Sequence, residues 1–127
     1  MNEMSYYENI SLLAYSPLAG GLLTGKYLNN EMPTDSRITR VSTIGDRVNK
    51  NAMKAVQEYM KISKKFNIHP VHLALAFCTK RPFMGSVIFG ATTDEQLDVV
   101  IKGLDVDLND EIMKEISLVY KNYALTF

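Results

Sequence analysis

The sequence predicts an α/β fold, and two observations carry that prediction. Residues 10–15 (ISLLAY) and 86–89 (SVIF) are short apolar runs without the strict alternation of half-solvated strands, the pattern of strands covered on both faces. Between and after them lie stretches with the three-and-four spacing of amphipathic helices, and strands separated by helices favour parallel pairing through right-handed crossovers.

Each element follows from local chemistry. The first strand stops at Ser16-Pro17, because proline has no N–H to give a ladder. From 28 to about 48 the sequence is polar and without periodicity, a long loop of the kind that serves function in compact domains, read here as a lid. In 51–66, Ala52, Ala55, Tyr59, Ile62 and Phe66 share one helical face, with lysines opposite. Asn67 is the expected stop. Pro70 suits the first turn of a second helix through Thr79, which ends before Lys80, Arg81 and Pro82. After the second strand, Gly90-Ala91 lead into TTDEQ, where Thr93 with Gln96, or Thr92 with Glu95, has capping-box spacing. This helix is expected to turn Leu97, Val100, Ile101 and Leu104 inward. Asn109 then caps a last helix with Ile112, Ile116, Val119 and Tyr120 on one side, and NYALTF reads as a tail. A sheet of two strands is very small, and its unpaired edges need neighbours.

The composition excludes several function classes. The 127 residues make one domain at most, and Lys+Arg and Asp+Glu balance at 14 each, which gives no electrostatic case for nucleic acid or an anionic membrane as partner. No stretch approaches the length of a membrane span, and MNEMSYYENI lacks the basic-then-apolar order of a signal peptide, so the chain is read as cytoplasmic. Cys78 is single, beside LALAF, and reads as a small buried thiol. His69 and His72 have no further His or Cys at ligand spacing, so they read as a water-exposed pair at a helix start, with no metal site expected.

Ligands of α/β proteins bind beyond the carboxyl ends of the strands, which singles out YSPLAGGLLTGKY at 15–27 and FGATT at 89–93. Gly20 and Gly21 allow backbone amides close to a phosphate and Lys26 supplies a point charge. Arg37 offers a two-pronged contact, and the turn at Gly90 presents the N–H groups of a helix start, with Thr92 and Thr93 as hydroxyl donors. Two adjacent sites of this kind suit the two ends of one nucleotide. The plainer reading of each part is a turn for the glycines, a cap for the threonines, solvated charges for Arg37 and Arg40, and a core aromatic for Tyr15.

ISLLAYSPLAGGLLTGKYL, PVHLALAFCTKRP and GSVIFGATTDEQL, in this order and spacing, resemble the C-terminal portion of an aldo-keto reductase, closest to the Tas-like and potassium-channel β-subunit-like branch. The resemblance covers nearly all of the chain from about residue 10 to 120. It implies a partial (β/α)8 TIM barrel: the last two strands with their helices and the C-terminal extra helix, in a single incomplete domain over 1–127 with 28–48 as a clamp over the cofactor. It implies NADP(H) as cofactor, with Tyr15 against the nicotinamide, and Ser16, Leu18 and the backbone of Ala19, Gly20 and Gly21 along the diphosphate. Lys26 and Arg37 match charged clamp positions, and Gly90, Thr92 and Gln96 the adenosine phosphate end. Two departures stand out. Val99 and Val100 occupy positions where the family commonly has a Glu-Asn pair on the adenine. The family's catalytic Asp, Tyr, Lys and His come from earlier strands that no segment here matches, so no residue is nominated as catalytic. A full barrel needs roughly 200 to 250 residues. The expected role is therefore the C-terminal part of a reductase, completed by an N-terminal partner chain or by self-association. The alternatives are a noncatalytic binding or regulatory module and a truncated gene product.

Overall fold

β1 (Leu12–Tyr15) and β2 (Met84–Ile88) pair in parallel as a two-stranded sheet in the computed structural model, which describes residues 2–41 and 48–124. A helix α1 (Asn2–Glu8) precedes β1. Tight 3-10 turns follow it at Ala19–Thr24 and Leu28–Asn30, then α2 (Arg37–Arg40), α3 (Lys50–Lys65) and α4 (Pro70–Thr79) lead to β2, and α5 (Asp94–Lys102) and α6 (Asp110–Asn122) end the chain. The α/β class and the parallel pairing are as the sequence predicts. Among the described residues no helix is long and apolar enough to cross a membrane.

The helix boundaries come from side-chain caps. Asn49 Oδ1 accepts from the N–H groups of Asn51 at 3.0 Å and Ala52 at 2.9 Å, and Asn109 Oδ1 accepts from Ile112 at 2.9 Å. α3 stops where Asn67 takes a left-handed φ of 52°. The buried Ser63 secures that turn: its hydroxyl donates to the Ile68 carbonyl while Ile68 N–H returns to the Ser63 carbonyl at 2.9 Å. Pro70 opens α4, and the His69 ring nitrogen Nδ1 accepts from Val71 N–H at 3.3 Å.

Among the described residues three apolar clusters make the core. Ala55, Ile62, Leu73, Ile112, Ile116 and Val119 join α3, α4 and α6; Leu22, Tyr27, Ile38 and Val56 tie the β1 exit loop and α2 to α3; Val71, Leu75 and Val100 join α4 to α5, with Val87 of β2 against them. Lys65 pairs with Glu111 at 3.1 Å and with Glu115 across α3 and α6, an exposed pair that adds little to stability.

Several sequence expectations need correction. The strands are not covered on both faces: Leu12, Ala14 and Val87 are half-buried, whereas Leu13, Tyr15 and Ile88 are exposed, because α4 lies over one side of the sheet and no described element covers the other. On α5 only Val100 is buried, and Leu97, Ile101 and Leu104 stay exposed for the same reason, while Tyr120 of α6 is also exposed. Residues 28–41 are not irregular throughout, since α2 is anchored by buried Ile38, and the rest of the expected lid, 42–47, lies outside the described residues. Helix α1 was not foreseen. His72 is not a water-exposed residue: its Nε2 lies 2.7 Å from the Val99 carbonyl, bridging α4 to the end of α5.

Close approach decides two glycines. The register slips between Leu12 and Leu13, which pair with Met84 and Ser86, so Gly85 is the bulged residue, and a Cβ there would lie 2.6 Å from Ser11 Cβ. A Cβ on Gly103 would lie 2.6 Å from the His72 ring. Gly103→Ala is expected to lower stability by about 1–3 kcal/mol, read as a fall in the urea midpoint, because His72 cannot withdraw without losing its contact to Val99.

Burial, and then the neighbouring His72, pushes the His69 imidazole below its ordinary value. A depressed histidine binds fewer protons folded than unfolded, so its stabilising effect is complete above the unfolded value near ~6.5 and is lost as pH falls through it. Protonation also removes the acceptor that caps α4. Stability measured by denaturant titration should therefore decline as pH drops below neutrality and level off under the folded-state value, and the decline should shrink in His69→Asn.

Candidate functional site

The parallel register sets the carboxyl ends of the strands side by side: Tyr15 faces Ile88, and Ser16 N–H donates to the Ile88 carbonyl at 3.2 Å. The two loops that leave the sheet therefore share one rim. A candidate site for a ligand that touches both is formed there.

The first loop is built from left-handed backbone. Ser16, Ala19, Gly20 and Gly21 have φ of 58°, 50°, 68° and 98°. Ala19 N–H donates to Ser16, and Gly21 and Leu23 N–H donate to the Leu18 carbonyl at 2.9 and 3.2 Å, folding the chain into consecutive tight turns. Only glycine adopts such φ without cost, so Ser16 and Ala19 carry strain of the sort that collects at functional loops. The Leu18 side chain packs on the Val71, Leu75 and Val100 cluster, which pins the loop to α4.

The cations are held by the same packing. A Cβ on Gly21 would meet Lys26 Nζ at 3.3 Å, so the ammonium folds back across the bare backbone of Gly21, and it lies 5.1 Å from the ring centroid of Tyr27. Tyr27 is buried with Leu22, Ile38 and Val56, and its hydroxyl has no hydrogen-bond partner among the described residues. Ile38 in that cluster places Arg37, the first residue of α2, on the same body as Lys26. Neither Lys26 nor Arg37 forms an ion pair among the described residues, whereas Arg40 is bound to Asp35 at 3.1 Å. Tyr15 is exposed at the rim rather than in the core.

The second loop is open. A Cβ on Gly90 would meet nothing within 4 Å, and the Gly90 and Ala91 N–H groups make no hydrogen bond among the described residues. Thr92 and Gln96 come together but are engaged with each other: Gln96 Oε1 accepts from the Thr92 N–H at 3.0 Å and hydroxyl at 3.2 Å, while Thr93 Oγ1 caps Gln96 N–H at 3.3 Å. The hydrogen bond from Thr93, then one to its own backbone, holds the Glu95 carboxyl below its usual range. With Asp94 and Glu95 in the first turn of α5, the helix terminus itself repels an anion, and the Gly90-Ala91 amides are the donors left for one.

Val99 and Val100 have a structural use. Val100 is buried against Val71 and Leu75, Val99 packs beside it, and the Val99 carbonyl holds His72. Sequence reasoning missed His72 as the clamp between α4 and α5; the signal was a histidine opposite an otherwise unexplained Gly103. Cys78 is half-buried, and burial pushes its thiol up, which favours the neutral thiol over the thiolate.

The two loop glycines should respond differently to substitution. Gly21→Ala forces a Cβ onto φ of 98° and into Lys26, and should cost about 1–2 kcal/mol in thermal or urea unfolding. Gly90→Ala should leave unfolding unchanged.

The model of the aldo/keto reductase family matches residues 1–121. Protein tas of Escherichia coli (strain K12) is 40% identical over 122 residues, 96% of this chain and 35% of that protein. A probable voltage-gated potassium channel subunit beta of Oryza sativa subsp. japonica is 32% identical over 118 residues, 89% of this chain and 36% of that one. L-glyceraldehyde 3-phosphate reductase of Escherichia coli (strain K12) is 32% identical over 109 residues, covering 77% and 30%. The chain spans about a third of the length of the relatives it matches.

Proposed function

We propose, from the premise that this chain belongs to the aldo/keto reductase family, that it is the C-terminal part of an NADP(H)-dependent reductase barrel and supplies cofactor-binding loops without the catalytic tetrad. The observation that carries this reading is the adjacency of the two strand exits, fixed by the Ser16–Ile88 hydrogen bond at 3.2 Å. One extended dinucleotide is the ligand class that uses both.

The residues present fit the phosphate-bearing parts of the cofactor. The Lys26 ammonium lies over the bare backbone of Gly21, where a phosphate would meet it, and Lys26 and Arg37 are cations free of carboxylates among the described residues. At the second exit the Gly90 amide and the hydroxyl of Thr92 serve the adenosine phosphate end. Binding there requires Gln96 to share Thr92 or release it. Tyr15, exposed at the rim, offers a ring face to the nicotinamide. At the adenine the fit fails, since Val99 and Val100 are committed to packing on α4.

When bound, NADPH supplies hydride to a carbonyl. This chain orients the dinucleotide and screens its phosphates; the proton donor belongs to the tetrad of earlier strands. A second reading, a noncatalytic binding or regulatory module, is favoured by the likeness to the potassium channel subunit beta of rice.

The test is a chimera in which this chain replaces the matching segment of Escherichia coli protein tas, with the intact protein as reference. NADPH titration followed by fluorescence should show binding, weakened about tenfold or more by Lys26→Ala and by Arg37→Ala. A chimera that folds, as judged by circular dichroism, and binds no NADPH while the reference does would reject the cofactor role.

A further inference from the structure

The two strand exits differ in charge. The first carries Lys26, with Arg37 on the same packed body, and neither cation has a carboxylate partner among the described residues. The second carries no cation. From Ile88 to Ile101 the sequence holds neither lysine nor arginine, but it holds Asp94, Glu95 and Asp98. All three are exposed, and no cation pairs with them among the described residues.

The helix start at the second exit is satisfied from within. Thr93 Oγ1 accepts from the Gln96 N–H at 3.3 Å, and Gln96 Oε1 accepts from the Thr92 N–H at 3.0 Å and hydroxyl at 3.2 Å. The Glu95 carboxylate takes the Thr93 hydroxyl and its own N–H, which hold it below its usual range and keep it ionised. The positive end of α5 therefore meets Asp94 and Glu95 before it meets a ligand. What remains is neutral: the Gly90 and Ala91 N–H groups and the Gln96 amide nitrogen make no hydrogen bond among the described residues. Such donors bond a ribose hydroxyl as readily as a phosphate oxygen, whereas preference for the phosphate needs a cation to offset the loss of its hydration.

We infer that the site takes NADH as readily as NADPH: Lys26 and Arg37 hold the diphosphate that both share, and the 2′-phosphate that distinguishes them meets neutral donors opposed by three carboxylates. This rests on the cofactor reading above and names the ligand of that site. Asp94 is the specificity residue to change, because its side chain makes no hydrogen bond among the described residues and the cap survives its loss.

The experiment titrates NADPH and NADH, followed by fluorescence, into the chimera with Escherichia coli protein tas described above, and reads the ratio of the two dissociation constants. Partial loss of fold lowers both affinities alike and leaves that ratio unmoved. The expected result is NADPH bound no more than about threefold more tightly than NADH. Asp94→Lys should tighten NADPH about fivefold or more and leave NADH unchanged, since it replaces repulsion of the 2′-phosphate by attraction. Lys26→Ala should weaken both dinucleotides to a similar extent. A larger preference for NADPH, or a ratio indifferent to Asp94→Lys, overturns the inference and leaves the cofactor role standing. A folded chimera that binds neither dinucleotide removes both.

Discussion

The parallel pairing of β1 with β2 is the constraint that the rest of the molecule answers. Parallel strands need a long crossover, and here the crossover is the whole run from the β1 exit loop through α2, α3 and α4. The same pairing sets both strand ends on one rim. Without it the glycine-rich loop and the Gly90 turn would be unrelated surface segments.

Packing onto α4 turns that topology into a fixed site. Leu18 anchors the first loop to α4, Val100 anchors α5, and His72 with Gly103 locks the joint between the two helices. A second cluster around Tyr27 and Ile38 holds Lys26 and Arg37 on the body of α3. The charges thus sit on packed side chains, and Lys26 lies across the bare backbone of Gly21, whose φ is left-handed. Val99 and Val100 take no part in that arrangement, because they pack against α4.

The exposed apolar surface is the other half of the account. A parallel sheet is ordinarily covered on both faces, and among the described residues this one is covered on one. The relatives compared with it are about three times as long as the segment they share with this chain.

The sequence by itself determined what is local. Pro70, Asn49 and Asn109 mark helix starts by donor satisfaction, Asn67 marks a stop by its tolerance of positive φ, and the two apolar runs separated by helices state the α/β class. The candidate residues Gly20, Gly21, Lys26, Gly90, Thr92 and Gln96 could be singled out because they stand at the two strand exits, although turns and helix caps account for the glycines and Thr92 taken singly. Tertiary structure alone decided which apolar residues are buried. Helical periodicity put Leu97, Val100, Ile101 and Leu104 on one face, but burial depends on a neighbour being present, and only Val100 meets one. The same reason turned His72 from a solvent-exposed residue into an interhelical clamp: its partner, the Val99 carbonyl, is 27 residues away in sequence, a contact that no local pattern encodes.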